Sequence, residues 1–265
     1  MPVETTSETT ARFFSSYAHD FDAIYGGRHT GWRGPVNRYL RASMRLRYEK
    51  TIAGCDPIEG RSVLDVGCGP GHYGIALARM GAARVFGLDF APAMIDLARA
   101  HADRAGVGDR CRFELGDFLT YPLPEPFDYT IVMGFMDYIA EPRAVIDRVL
   151  EVTRSRAFFS FPVAGGLLAW QRRLRYKKRC ELYLYTQDRV RSLFENIPGT
   201  RFSCERIARD FFVTLEGVVE DLRLLRGSAH RALQQMGDVP LQDRVGLQPD
   251  GVPAAFRLQQ LHQLG

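Results

Sequence analysis

Apolar positions recur at helical spacing over the first fifty residues, then give way to short apolar runs alternating with helical stretches. Phe13, Tyr17, Phe21 and Ile24 recur at three and four residues before Gly26-Gly27 interrupts them, which predicts a first amphipathic helix. A second, opened by Pro35, carries Val36, Leu40, Met44 and Tyr48 on one face and ends near Gly54. From about residue 61 the pattern predicts strands at 62–66, 84–88, 112–115 and 129–133, separated by helices at 72–80, 92–105 and 141–152. Gly81 stands where a helix would end and Pro92 where one would begin. Strands alternating with helices of about ten residues imply a parallel sheet with helices on both faces. A fifth strand at 156–161 leads into a long loop and a helix at about 186–195. The runs at 202–207 and 211–215, joined by Ala208-Arg209-Asp210, read as an antiparallel hairpin at the sheet edge. The expected architecture is therefore α/β, with seven mostly parallel strands.

The same pattern divides the chain. Residues 1–55 form leading helices, 56–216 the main domain with a basic insertion at about 163–185, and 217–265 a helical extension and tail. Val218, Val219, Leu222 and Leu225 form a helical stripe in that extension, continued by Ala229, Leu233 and Met236. Such a stripe needs a surface to cover it, on the domain or on a second copy of the chain, and a homodimer is favoured.

Composition narrows the function classes. Apolar residues make up 46% of 265, enough for a sizeable core without metal or disulfide staples. Lys and Arg exceed Asp and Glu by 35 to 31, a surplus too small to mark a nucleic-acid binder but compatible with an anionic small molecule. The cysteines at 55, 68, 111, 180 and 204 include no C-x-x-C pair, which points to a reducing compartment without structural zinc. No His, Asp and Glu cluster has metal-ligand spacing, so no metal is expected. The longest uncharged stretch, 157–170, falls short of the roughly 18 apolar residues of a membrane span and is broken by Pro162 and Gly165-Gly166. The first residues lack both a basic cap and an apolar stretch, so the expectation is a cytoplasmic, soluble protein.

The most informative segment is Val63-Leu-Asp-Val-Gly-Cys-Gly-Pro-Gly71. A buried strand runs into Gly67, Gly69 and Gly71, and a helix follows. Such a loop lets backbone approach a ligand closely and aims helix N-terminal N–H groups at it. Gly69-Pro-Gly71-His-Tyr-Gly74 also fits the G-x-G-x-x-G dinucleotide pattern, so two readings compete. Asp65 lies two residues before the first glycine, where a pyrophosphate would meet a carboxylate. Pro70 occupies the space between glycines, and Gly74 falls well inside the helix. A second acid, Asp89, ends the next strand 24 positions on, where a carboxylate can accept both hydroxyls of a ribose. Phe90 follows, with Met94 one helical turn later.

These segments resemble the class I S-adenosylmethionine-dependent methyltransferases, whose first motif is D-x-G-x-G-x-G. The resemblance covers about residues 60–216, and the leading helices look like the family's N-terminal lids. It implies a Rossmann-like fold and S-adenosyl-L-methionine as cofactor. Asp65, Gly67, Cys68, Gly69 and Gly71 would then take the methionine portion, an ammonium and a sulfonium being suitable company for Asp65. Asp89 would hold the ribose, with Phe90 and Met94 either facing the adenine or lying in the ordinary core. Asp117 and Phe118, in Glu114-Leu-Gly-Asp-Phe118, match the position where the family recognises the adenine amino group. Met133 and Gly134, ending the fourth strand, would line the methyl end, and Tyr17 would close over the cofactor's carboxylate. Many small-molecule members carry two histidines where this chain has Asp137 and Tyr138, which makes that pair, with Phe135, the candidate for catalysis and acceptor binding. His19 and His72 are further base candidates; His19, three residues before Asp22, is better explained by a helix-surface pair.

In Gln171-Arg-Arg-Leu-Arg-Tyr-Lys-Lys-Arg179, Arg172, Arg175 and Lys178 recur at helical spacing and suit an anionic group of the acceptor, with Tyr176 as a flat wall. The alternative is a solvated helix face. The leading expectation is methyl transfer to an oxygen or nitrogen of a small molecule of anionic or aromatic character. A nucleic-acid methyltransferase is disfavoured by the small charge surplus and the lack of an N-P-P-Y or D-P-P-Y segment. Asp65 and Pro70 count against an NAD-dependent oxidoreductase. A non-catalytic cofactor-binding partner subunit is the remaining alternative.

Overall fold

The structure, a computed structural model, describes residues 34–165 and 181–217, with side chains from residue 44 onward. The helix expected at 13–24, the basic run 171–179 and the extension after Gly217 lie outside the described residues. In chain order the elements are α1 (Gly34–Gly54), β1 (Ser62–Val66), α2 (His72–Arg79), β2 (Arg84–Asp89), α3 (Pro92–Arg104), β3 (Cys111–Leu115), β4 (Phe127–Val132), a 3-10 turn (Met136–Tyr138), α4 (Pro142–Val152), β5 (Thr153–Pro162), α5 (Gln187–Phe194), β6 (Arg201–Ile207) and β7 (Asp210–Glu216). Each element expected within the described range is present. The largest shift is at β5, which starts at Thr153 with no loop after α4. The Thr153 hydroxyl bonds the Val149 carbonyl at 2.6 Å and the Thr130 hydroxyl at 2.7 Å, closing the helix and joining the sheet with one side chain.

The seven strands form one sheet in the order β3-β2-β1-β4-β5-β7-β6. β1 to β5 run parallel, while β7 is antiparallel to both β5 and β6. The hairpin expected at the edge therefore inserts its second strand first, leaving β6 outermost. Ala208, with φ +51°, supplies the positive φ of its two-residue turn. The winding reverses between β1 and β4, and in open α/β sheets ligands bind in the crevice beyond the strand ends at such a point.

Alternation along the strands builds a core on each face. Leu64, Val66, Phe86, Leu88, Val132, Phe159 and Phe161 point to one side, where they meet Val145, Val149, Leu193 and Phe194 of α4 and α5. Val63, Val85, Ile131, Met133 and Phe158 point to the other, against Tyr73 and Leu77 of α2 and Ile95 and Ala98 of α3. Each fully buried Phe or Leu of this kind contributes about 1.5–3 kcal/mol. α1 lies on the second face through Tyr48, whose ring is 5.3 Å from that of Tyr73, and ends so close that a Cβ on Gly54 would meet the Phe158 ring at 2.5 Å. Arg156 bonds the carbonyls of Gly54 and Asp56 at 2.9 and 3.0 Å, satisfying acceptors that the helix end leaves open.

Candidate functional site

The site is built from the loops at the carboxyl ends of β1, β2, β3 and β4. Gly67, Gly69 and Gly71 all have positive φ (+65°, +51° and +81°), a conformation that explains glycine at each. The loop is tied to the end of β2: Gly67 and Cys68 donate N–H groups to the Leu88 carbonyl at 2.8 and 3.1 Å. α2 then begins at His72 and rests directly on β2, since a Cβ at Gly74 would meet Val85 at 2.6 Å. This close approach accounts for a glycine inside the helix without a dinucleotide motif.

Two carboxylates flank the loop. Asp65 is 2% exposed, and its Oδ2 is buried with no hydrogen-bond partner. Burial pushes its carboxyl up to about 7; the Gly74 N–H opposes this and the Asp89 charge adds to it. Asp89, 9% exposed, accepts hydrogen bonds from Gly69 N on Oδ2 and Ala91 N on Oδ1, both at 2.9 Å. Burial raises its pKa, against the lowering effect of the backbone N–H groups of Ala91, Gly69 and Phe90. Asp89 thus fastens the glycine loop to the start of α3. Each of its oxygens has a second lone-pair direction, so this backbone role and a ligand role are compatible. The Cys68 thiol is buried and its pKa pushed well up by that burial and by Asp65 and Asp89, so it behaves as a small apolar group.

The remaining positions separate into two kinds. Asp117 is exposed after β3, its Oδ1 accepting from Leu119 N at 2.9 Å, and Gly116 N donates to the Asp89 carbonyl at 2.9 Å, so the two strand ends are joined. Phe90 is half-buried beside them. Met94 and Phe118, each 2% exposed, are core side chains here: Phe118 packs with Leu64 and Phe86, and Met94 with Ala91. Met94 thus takes the core alternative of its sequence reading, and Phe118, read beside the adenine position, is buried as well.

At the end of β4, Met133 is buried and Gly134 takes φ +70°, donating its N–H to the Ser160 hydroxyl at 2.8 Å. The Phe135 ring lies over the glycine loop, where a Cβ on Gly67 would meet it at 2.7 Å. Asp137, 3% exposed, and half-buried Tyr138 sit in the 3-10 turn that follows. That turn is held from the far side of the basic insertion. Tyr183 N donates to the Asp137 carbonyl at 2.8 Å, and the Tyr185 hydroxyl reaches the Met136 and Ile139 carbonyls at 3.3 and 3.4 Å. Burial pushes the Tyr185 phenol up to about 12, so it stays a donor at any physiological pH. Tyr17, His19, Arg172, Arg175 and Tyr176 lie outside the described residues. His72 starts α2 with its ring 5.8 Å from that of His101, whose Nδ1 is 3.0 Å from the Pro70 carbonyl.

Sequence reasoning missed three polar residues at the same edge. Arg47 from α1, Ser160 from β5 and Asp210 from β7 are 9%, 1% and 4% exposed. Arg47 Nη1 lies 3.4 Å from the Ser160 hydroxyl and 3.6 Å from Asp210 Oδ2. The available signal was Ser160, the polar residue in the otherwise apolar run Ala157-Phe-Phe-Ser-Phe161 of β5. Among the described residues there is no group of His, Cys, Asp and Glu side chains able to hold a metal ion, and no helix long and apolar enough to cross a membrane.

A family model described as a methyltransferase domain matches residues 58–194. A ubiquinone biosynthesis O-methyltransferase of Xylella fastidiosa (strain 9a5c) is 38% identical over 122 residues, covering 42% of this chain and 49% of the relative. The chain thus spans about half the length of the curated relatives it matches. Among solved structures, the magnesium protoporphyrin IX methyltransferase of Synechocystis with bound SAH aligns with a TM-score of 0.64 at 20% identity, covering 80% of this chain and 99% of that one. A [4+2]-cyclase aligns at 0.57 and 17% identity, covering 82% and 98%.

Proposed function

Because the chain belongs to the methyltransferase-domain family, we propose that it transfers the methyl group of S-adenosylmethionine to an oxygen of a small-molecule acceptor. The observation that carries this reading is Asp65, a buried carboxyl beside three left-handed glycines, faced by the Gly74 N–H and with an Oδ2 that makes no hydrogen bond of good geometry. A buried carboxyl of this kind is costly unless a cation or donor completes it. The cofactor's methionine end carries an ammonium, so the donor set fits it. A pyrophosphate would add like charge at the same place. The antiparallel β7 between β5 and β6 also departs from the parallel 3-2-1-4-5-6 order of dinucleotide-binding sheets.

In this reading Asp65 and the backbone of Gly67, Cys68, Gly69 and Gly71 receive the methionine portion. Asp89 receives the ribose, and Asp117 with Phe90 the adenine, while Met94 and Phe118 support the pocket from the core. When bound, the cofactor supplies an activated methyl on a sulfonium. The protein's share is alignment of the acceptor with that methyl and exclusion of water. Met133, Gly134 and Phe135 border the transfer end. Asp137 and Tyr138 are the candidates to take or relay the acceptor's proton, and Tyr183 and Tyr185 fix their turn. Transfer to oxygen is favoured over nitrogen because the matched relatives act, by name, as O-methyltransferases. Arg172, Arg175 and Tyr176 are the candidates for an anionic or flat group of the acceptor, Tyr17 for the methionine carboxylate, and residues 217–265 for a dimer contact, nearly all of them outside the described residues.

Titration of the pure protein with S-adenosylmethionine, SAH and NAD tests the cofactor assignment. Tighter binding of NAD, or no binding of SAH, overturns it. Incubation with methyl-labelled cofactor and simple phenols and catechols tests the reaction, and label appearing on nitrogen alone would refute the choice of oxygen.

A further inference from the structure

One aromatic ring supports the glycine loop from the side of the sheet. Phe113, 2% exposed, lies on β3, and its side chain crosses β2 to reach the loop. A Cβ on Gly87 would run into Phe113 Cδ1 and come within 3.1 Å of Cys68 Cβ, so ring and loop meet over the bare backbone of β2. A Cβ on Gly71 would meet the far end of the ring, Cζ, at 2.9 Å, and one on Gly74 would lie 3.9 Å from Cε1. The ring therefore lies against the start of α2 and its first turn, from which the Gly74 N–H faces Asp65.

The ring is anchored at its other end. Arg99 of α3 donates from Nη2 and Nε to the Phe113 carbonyl at 2.6 and 3.1 Å. α3 is in turn tied to the loop, because Asp89 accepts from both Gly69 N and Ala91 N. Filling the core does not by itself explain the arrangement. Gly87 stands inside β2 with its backbone outside the left-handed region, and glycine weakens a strand interior unless another group must come close. A core of equal volume could be divided between an alanine at 87 and a smaller side chain at 113, since volume-conserving apolar exchanges are well tolerated. The chain instead places that volume in one stiff ring that spans from β3 to the start of α2.

We propose that Phe113 is a positioning residue for the amino-acid end of the cofactor: its ring sets Gly71 and the first turn of α2 against Asp65. The proposal rests on the reading above, in which Asp65 and the glycine loop receive the methionine portion. The ring then governs recognition of that portion and not of the adenosine portion, which Asp89 and Asp117 receive.

The test uses the full chain and two calorimetric probes, SAH and 5′-methylthioadenosine. The second keeps the adenosine and the sulfur but lacks the amino-acid end, so the ratio of the two dissociation constants reads that end alone. In the wild type SAH should bind more tightly. Phe113→Val removes the ring, and the preference for SAH should fall toward one, by about tenfold or more, the scale of one hydrogen bond to a charged group. Affinity for 5′-methylthioadenosine should stay nearly unchanged. Phe113→Leu, a milder truncation, is read in the same way should Phe113→Val not fold. Phe212→Val removes a ring from the same core but on β7, three strands from β1, and should lower the melting temperature while leaving the preference at its wild-type value. A preference unchanged in the folded Phe113 variant, an equal loss of affinity for both probes, or a fall of the same size in Phe212→Val overturns the proposal. Failure of the wild type to bind SAH, or its equal affinity for the two probes, appears before any variant is made. Either result overturns the cofactor reading itself and this proposal with it.

Discussion

Asp65 gives the sharpest test, because its burial sets both a magnitude and a sign. Its carboxyl is raised from the ordinary 3.8 to about 7. At about 1.4 kcal/mol per pKa unit, ionising it in the ligand-free protein costs roughly 4 kcal/mol more than in water. A unit cation 4 Å away returns about 4 kcal/mol at an effective dielectric of 20. The two are of equal size, so an ammonium beside Asp65 restores its pKa to near the usual range, and binding releases a proton below about pH 7. SAH carries that ammonium and does not react. Its affinity should therefore rise roughly 50-fold from pH 5 to pH 7 and only about twofold more by pH 8. Asp65→Asn removes the titration: affinity should become flat with pH, about tenfold or more below wild type at pH 5 and roughly a thousandfold below it at pH 8. The stability effect has the opposite direction. A folded pKa above the unfolded value means no penalty below about pH 4, a growing one up to about 7, and a constant one above. Ligand-free Asp65→Asn should thus melt higher than wild type at pH 8 and near it at pH 4. Calorimetric titration and thermal melts on the two proteins read both effects. A wild-type Kd that stays flat from pH 5 to 8, or a variant that keeps the slope, would refute the pairing of Asp65 with a cation.

Two further expectations concern the rest of the site. Asp89→Ala removes the acceptor for both Gly69 N and Ala91 N together with the ribose contact, so SAH binding should weaken about tenfold or more, as read by calorimetry; an unchanged Kd in a folded variant would remove the ribose assignment. Asp137→Asn and Tyr138→Phe should lower kcat while leaving SAH affinity nearly intact, and Tyr185→Phe, which loses only the hydroxyl that holds their turn, should lower kcat by a smaller factor with a stability loss of about 1 kcal/mol; equal losses in turnover and SAH binding would mark the turn as structural.

The geometry of the proposed cofactor half was legible because it is local. The strand into Gly67, the glycines that follow and Asp89 on the next strand all lie within one βαβ unit, where spacing alone dictates their meeting. The same logic placed Asp117 after the third strand. Spacing did not give side-chain direction: Phe118 follows the third strand and Met94 lies one helical turn past Phe90, and both pack in the core. Strand order was also hidden. A hairpin reads the same whether its first or second strand joins the sheet, and here the more apolar Phe211-Phe212-Val213 strand takes the inner place, leaving the alternating, charged β6 outside. Charges on that edge guard it against pairing with another chain. Arg47 was illegible for a different reason. It lies between Met44 and Tyr48 on the face that α1 buries, where the pattern predicts only apolar side chains. Its partners come from β5 and β7, and no local signal connects them.

That division between local and non-local parts bears on what the fold can become. A cyclase and a porphyrin methyltransferase share this fold, so the fold does not by itself decide the chemistry. In this chain the loop, Asp65, Asp89 and the start of α3 are fastened to one another through Gly69 N, Ala91 N and the Leu88 carbonyl. Substitutions elsewhere leave those bonds in place. The edge proposed for the acceptor is assembled otherwise, from α1, the turn after β4, the end of β5, residues 183–185 and the start of β7. Each contributes a residue or two, and Ser160 and Tyr185 link them through single hydroxyls. In the proposed reading, changing Asp137 or Tyr138 alters what is presented to the methyl while the bonds from Gly69 N and Ala91 N to Asp89 stay in place. Cofactor affinity and acceptor choice should vary independently across such variants, and a substitution in the acceptor half that moved both together would show that the two halves are coupled through the Phe135 ring lying against Gly67.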